Sequence, residues 1–226
     1  MIFADNCYGE FVEALEPTHV GVDLIAGSLI KNPGGGLAPS GGYVAGRRQY
    51  VSAAMNRLGA PGVAGGAALG QHWRLYQGLF LAPTIVGESL KGAHLMAEVL
   101  GGEMGLECQP EPHSKDPRPR TDIIQSVRLG SRDRAVKFCR AVQRMSPVDA
   151  HVEPVPGATP GYGDEVIFAD GTFVFGSTIE LSADGPLREP FDVFAQGCTH
   201  WGHWAIVLEE ALADMGLASP GSDSSR

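Results

Sequence analysis

Two apolar runs stand close together near the start of the chain. Residues 1–6 predict a strand that ends at Asp5. Val20–Ala26 (Val-Gly-Val-Asp-Leu-Ile-Ala) predict a second strand, apolar on both faces, as in a sheet covered by helices on each side. Between them, Glu10–Leu15 leave room for one helical turn before Pro17. Gly42–Gly46 predict a short third strand. Arg47–Leu58 place Tyr50, Val51, Ala54 and Leu58 at helical spacing, with Gly59 as the stop.

Ala60–Gly70 are rich in glycine and alanine and show neither period. Ala82–Leu100 predict a long helix through Ile85, Leu90, Ala93, Ala97 and Leu100, closed by Gly101-Gly102. Pro110–Pro119 are polar and proline-rich and predict a loop. Thr121–Leu129 predict a strand. Ser131 is placed to cap a helix that runs to Met145, with Ala135, Phe138, Cys139 and Val142 on one face and Pro147 beyond it. Val166–Phe168, Thr172–Phe175 and Thr178–Leu181 predict short strands separated by Asp-Gly and Gly turns. Trp201–Met215 predict a final helix, and residues 218–226 a disordered Ser/Gly-rich tail. No internal repeat is visible. The order implies an α/β class, with the end of one domain joined to most of another. The expected division is 1–104 for the last part of a large domain with its connecting helix, 105–217 for a smaller α+β domain, and 218–226 for the tail.

Composition narrows the function classes. The formal net charge of −9 and the lack of a Lys/Arg-rich run argue against a nucleic-acid partner. No run of eighteen apolar residues predicts a membrane span. The four cysteines form no CxxC, so neither a zinc ribbon nor a thioredoxin-like motif is indicated. No signal-peptide pattern is present, so the expected compartment is the reducing cytoplasm. His200 and His203 are three apart, but no acidic or cysteine partner has ligand spacing, and no metal is expected. Trp73, Trp201 and Trp204 are expected to be packing residues.

The strongest candidate chemistry is Lys31, after the second strand and before Pro33-Gly34-Gly35-Gly36, together with Asp5 at the end of the first. Pyridoxal phosphate chemistry needs a lysine for the Schiff base and an acid that keeps the pyridine nitrogen protonated, so that the ring draws electrons. Read alone, Lys31 is also an ordinary surface lysine after a strand, and Asp5 a turn cap. The glycines read equally as an anion-binding turn or as a flexible connection. The chain opens almost at Asp5, inside a strand, which leads us to expect a truncated chain.

Several separated runs carry a resemblance. Asp5-Asn6-Cys7-Tyr8, Leu24-Ile25-Ala26-Gly27-Ser28-Leu29-Ile30-Lys31-Asn32-Pro33-Gly34-Gly35-Gly36, Gly41-Gly42-Tyr43-Val44-Ala45-Gly46, Tyr76-Gln77-Gly78-Leu79-Phe80-Leu81-Ala82-Pro83, Arg120-Thr121-Asp122-Ile123-Ile124-Gln125 and Ile179-Glu180-Leu181-Ser182-Ala183-Asp184-Gly185-Pro186 occur in order. They resemble the aluminium-resistance or methionine gamma-lyase-like branch of the fold-type I pyridoxal phosphate enzymes, over nearly the whole chain. The resemblance implies the C-terminal part of that fold: an incomplete large-domain sheet plus the smaller domain. It implies that Lys31 is the Schiff-base lysine, that Asp5 faces the pyridine nitrogen, and that Ser28 donates to the phosphate. It implies a carbon–sulfur lyase acting on a sulfur amino acid, in a homo-oligomer.

Two departures accompany it. The family's phosphate-cradling glycine turn and ring-stacking residue have no counterpart here, so this chain alone is expected to bind the cofactor weakly and to be inactive. Glu180 stands where lyase cousins have a carboxylate-binding arginine, which leaves Arg188 and Arg120 as the candidate anchors. The alternative expectation is a non-catalytic remnant or interaction module without a complete cofactor site.

Overall fold

The computed structural model describes residues 1–59, 62, 72–113, 120–174, 176 and 178–217. The Ala60–Gly70 stretch, apart from Gly62, the later part of the Pro110–Pro119 loop and the 218–226 tail therefore lie outside the described residues. Grouped by contacts, the chain forms two compact units. One is Met1–Val86 with Arg120–Asp122, the other Gly87–Pro119 with Ile123–Arg226. The division falls inside a helix, ahead of the position expected at residue 104.

The first unit is built on three strands, β1 (Phe3–Asp5), β2 (Leu24–Ser28) and β3 (Gly42–Gly46), in that order. β1 and β2 are parallel, with Asp5 opposite Ala26. β3 returns antiparallel, so Tyr43 lies opposite Gly27 and Gly42 opposite Ser28. The helical turn expected at Glu10–Leu15 is absent. Tyr8 and Phe11 take left-handed backbone (φ 71° and 64°), which breaks any helical run, and the short helix forms instead at Pro17–Val20. Helix α1 is Arg48–Leu58.

Helix α2 runs His72–Met96, starting ten residues before the expected onset at Ala82, and holds Pro83 in its interior. Its first half packs on the turn after β2 at a point where neither side has a side chain. A Cβ on Gly78 would stand 2.1 Å from the Gly34 carbonyl oxygen, and one on Gly35 would stand 2.4 Å from the Gly78 carbonyl oxygen. Gly34 and Gly35 are buried in this contact. They are therefore neither an open anion cradle nor a loose connection. They let backbone meet backbone. Trp73, expected to pack, is 84 % exposed on this helix.

In the second unit α2 continues through one widened turn, Ala97–Glu103, past the glycines expected to close it. Six strands form an antiparallel sheet in the order β4-β5-β9-β8-β7-β6. They are β4 (Cys108–Gln109), β5 (Gln125–Arg128), β6 (Gly157–Ala158), β7 (Glu165–Ala169), β8 (Ser182–Pro186) and β9 (Asp192–Gln196). Helix α3 (Arg132–Arg144) packs on β7, β8 and helix α4 (Gly202–Met215). Ser131 caps α3, its hydroxyl accepting the Arg134 N–H. The α3 face predicted from the sequence is the buried one, with Phe138 and Cys139 fully enclosed beside Val127, Ile167 and Val207. Trp204 is fully buried and donates its indole N–H to the Gly197 carbonyl at 2.6 Å.

Two strand expectations fail here for local reasons. Thr172 turns its hydroxyl onto the Val174 carbonyl, and residues 172–174 bend. Phe175 lies outside the described residues. Thr178 donates its hydroxyl to the Glu180 carboxylate and bends that segment, so pairing starts only at Ser182. β9, which alternates Val193 and Ala195 inward, was not anticipated.

Candidate active site

Because β1 and β2 are parallel, the segments that leave them emerge at the same end of the sheet. Asp5 ends β1, and Lys31 follows β2 by three residues. Asp5 is held by its own turn: its Oδ1 accepts the Cys7 N–H at 3.0 Å. That bond, the Cys7 thiol and the nearby Lys31 charge hold the Asp5 carboxyl below its ordinary value. Burial, and the bond to Asp5, push the Cys7 thiol up. The Lys31 amine sits over the Tyr8 ring, 4.3 Å from its centroid. Ser28, the last residue of β2, receives the Ile30 N–H at 3.4 Å. The structure thus brings Asp5, Ser28 and Lys31 to one end of the sheet.

Behind them is a buried polar group that sequence reasoning missed. Glu10 is 4 % exposed. Its Oε1 accepts the Tyr43 hydroxyl at 2.7 Å, and its backbone carbonyl accepts the Asn32 side-chain amide at 3.0 Å. Asn6 donates to Glu16 at 2.8 Å and to the Tyr43 oxygen at 3.4 Å. Burial pushes the Glu10 carboxyl up, and both Glu16 and Lys31 act on it electrostatically. Burial likewise raises the Tyr43 phenol. The room for this group comes from the glycine at 27. A Cβ there would stand 2.4 Å from Glu10 Oε1 and 2.5 Å from Tyr43 Cε1.

The two candidate arginines part company. Arg120 lies in the same unit as Lys31, in the segment whose Thr121 carbonyl lies 3.4 Å from the Cβ position of Gly9. Burial pushes its guanidinium below the usual value, with Asp122 opposing. Arg188 lies in the second unit, 64 % exposed, in an ion pair with Asp164 at 3.4 Å. Glu180 is buried in that unit, and burial raises its carboxyl. His203 Nε2 is 2.6 Å from the Met145 carbonyl, and His200 stacks on Trp201. A cleft lined by Thr18, Gly21, Val22, Gly46 and Arg47 lies at the other end of the strands, before β2 and after β3, and holds none of the candidates. Among the described residues no helix is long and apolar enough to cross a membrane.

Comparison with known proteins finds relatives along nearly the whole chain. The methionine gamma-lyase family model matches residues 1–216. YnbB, an uncharacterised protein of Bacillus subtilis, is 50 % identical over 205 residues, which are 90 % of this chain and 48 % of that one. The crystal structure of a carbon–sulfur lyase involved in aluminium resistance from Clostridium novyi is 46 % identical, with a TM-score of 0.84 over 93 % of this chain and 49 % of that one. Cystathionine gamma-lyase from yeast is 15 % identical and shares the fold, with a TM-score of 0.56 over 93 % of this chain and 56 % of that one. The chain spans about half the length of these proteins.

Proposed function

This chain belongs to the methionine gamma-lyase family, with roughly half of the fold-type I architecture, and we propose that the Asp5–Lys31 end of its three-stranded sheet serves a pyridoxal phosphate-dependent carbon–sulfur lyase acting on a small sulfur amino acid. The observation that carries this reading is the parallel pairing of β1 with β2, which sets a carboxylate and an amine at one end of the sheet. The Tyr8 ring lies against the amine.

The residues present fit the cofactor. Asp5 is held below its ordinary value, so it stays ionised at neutral pH and can face a protonated ring nitrogen. Lys31 is the amine that would hold the aldehyde carbon, and the Ser28 hydroxyl would donate to a phosphate oxygen. When bound, the cofactor supplies an electron sink for the bond that breaks at the substrate α-carbon. Lys31 Nζ would take the α-proton and return it. Arg120 is favoured as the substrate carboxylate anchor, because its guanidinium fork is half-buried and belongs to the lysine's own unit. Arg188 is the second candidate.

The test is reductive trapping. The purified chain is mixed with pyridoxal phosphate, reduced with borohydride and mapped by mass spectrometry. The expected result is an adduct concentrated on Lys31 over the surface lysines Lys91 and Lys137, lost in Lys31→Ala and weakened in Asp5→Asn. An adduct spread evenly over the lysines would overturn the reading and favour the non-catalytic alternative.

A further inference from the structure

We propose that Glu10 and Tyr43 are a positioning pair for Lys31, which rests on the lyase reading for its purpose but on the geometry alone for its existence. Three segments meet at Glu10. Glu10 itself belongs to the loop that leaves β1, five residues after Asp5. Its backbone carbonyl takes the amide of Asn32, the residue after Lys31. Its carboxylate takes the hydroxyl of Tyr43, on the far strand of the sheet. The pair therefore ties the Asp5 loop to the Lys31 turn and anchors both to β3.

The sheet makes room for this tie. Tyr43 stands opposite Gly27 in the β2–β3 register, and any side chain at 27 would strike both Glu10 and Tyr43. The arrangement also has a cost that a passive loop would avoid. Glu10 Oε2 and Asn32 Oδ1 are buried and have no hydrogen-bond partner among the described residues. A carboxyl that is buried and half-satisfied costs stability, so packing alone would favour an apolar residue here. The charged and titratable groups that act on Glu10 are Tyr43, Glu16 and Lys31. Two of these belong to segments the tie joins, Lys31 after β2 and Tyr43 on β3.

Positioning acts through hydrogen bonds, so the variants separate hydrogen bonding from charge. Glu10→Gln keeps an acceptor for the Tyr43 hydroxyl. Glu10→Leu removes it, and Tyr43→Phe removes the donor with little change of shape. Two readouts are used. One is the share of borohydride-trapped pyridoxal phosphate at Lys31 relative to Lys91 and Lys137. The other, with no ligand present, is hydrogen exchange at the Gly34 and Gly35 amides, which bond back to the Lys31 and Asn32 carbonyls.

Glu10→Leu and Tyr43→Phe are expected to lower the Lys31 share about tenfold, because a misplacement of the order of an ångström costs that or more. Both should speed exchange at Gly34 and Gly35, with Glu10→Gln close to the parent in both readouts. The proposal is overturned if Tyr43→Phe matches the parent in both, or if Glu10→Gln is as impaired as Glu10→Leu. If Glu10→Leu fails to fold, Tyr43→Phe against the parent decides. The two readings fail differently. An even spread of adduct in the parent sinks the lyase reading, whereas a parental Lys31 preference with Tyr43→Phe matching the parent in both readouts sinks only the positioning pair.

Discussion

The amine of Lys31 stands 4.3 Å from the centroid of the Tyr8 ring. The left-handed backbone of Tyr8 (φ 71°) turns the chain just after β1. A cation over a ring face is stabilised by the ring quadrupole, by about 0.5–1 kcal/mol at a partly exposed site. A double-mutant cycle of Lys31→Met and Tyr8→Leu, read by urea denaturation, is expected to show a coupling of about that size. Tyr8→Phe should keep most of it. A coupling indistinguishable from zero would remove the ring from the description of the site.

Two glycines on one helix should respond in opposite directions. Gly78→Ala puts a methyl group 2.1 Å from the Gly34 carbonyl, backbone against backbone, where nothing flexible yields. It is expected to cost about 1–3 kcal/mol or more, as overpacking does. Gly87→Ala meets nothing within 4 Å and should stabilise the helix by roughly 0.5–1 kcal/mol. Urea midpoints of the two variants check both signs. Equal effects would mean that the Gly34–Gly78 contact is not the close one described.

Glu180 gives a pH prediction. Burial raises its folded-state value above the ordinary 4.5, and the Thr178 hydroxyl only partly offsets this. The native state therefore holds more protons than the unfolded chain from about pH 4.5 up to the raised folded-state value. Stability from this group is present below the ordinary value and is lost as pH rises through the folded-state value. Glu180→Gln should flatten the profile and gain relative to the parent at pH 8 compared with pH 4. Chemical denaturation at those two pH values measures it, and an unchanged difference would refute the assignment to Glu180.

The arginines are separable by kinetics and stability. Arg188 forms an exposed pair with Asp164, so Arg188→Ala should change stability by no more than about 1 kcal/mol. Arg120→Lys replaces a fork with a point charge, and one lost charge-assisted bond is worth about 1.5–3 kcal/mol. In a full-length homologue that carries this segment, Arg120→Lys should lower kcat/KM for the proposed lyase reaction far more than Arg188→Lys. The reverse ranking would make Arg188 the carboxylate anchor.

What the residues alone disclosed about this protein was local or carried by motif. The cap at Ser131 needed only an oxygen three residues from an N–H, and the α3 face only helical periodicity. Asp5 and Lys31 stood out as candidates because one ends an apolar strand, the other follows one, and both sit in runs that resemble one family. The match over residues 1–216 shows that family, while the roles of the two residues are proposed. The turn around Tyr8 and the late start of β8 were set locally, by a positive φ and by the Thr178–Glu180 bond, which hydrophobic patterning does not display. The early start of α2 ahead of Pro83 was decided by tertiary structure, where Gly78 meets Gly34 backbone to backbone. Glu10 and Tyr43 were invisible for the same reason. They lie 33 positions apart and meet only because β3 returns antiparallel and sets Tyr43 opposite a glycine. Capping and periodicity act between residues a few positions apart, so the sequence displays them. Register, and the room a missing side chain leaves, arise only when distant segments pack.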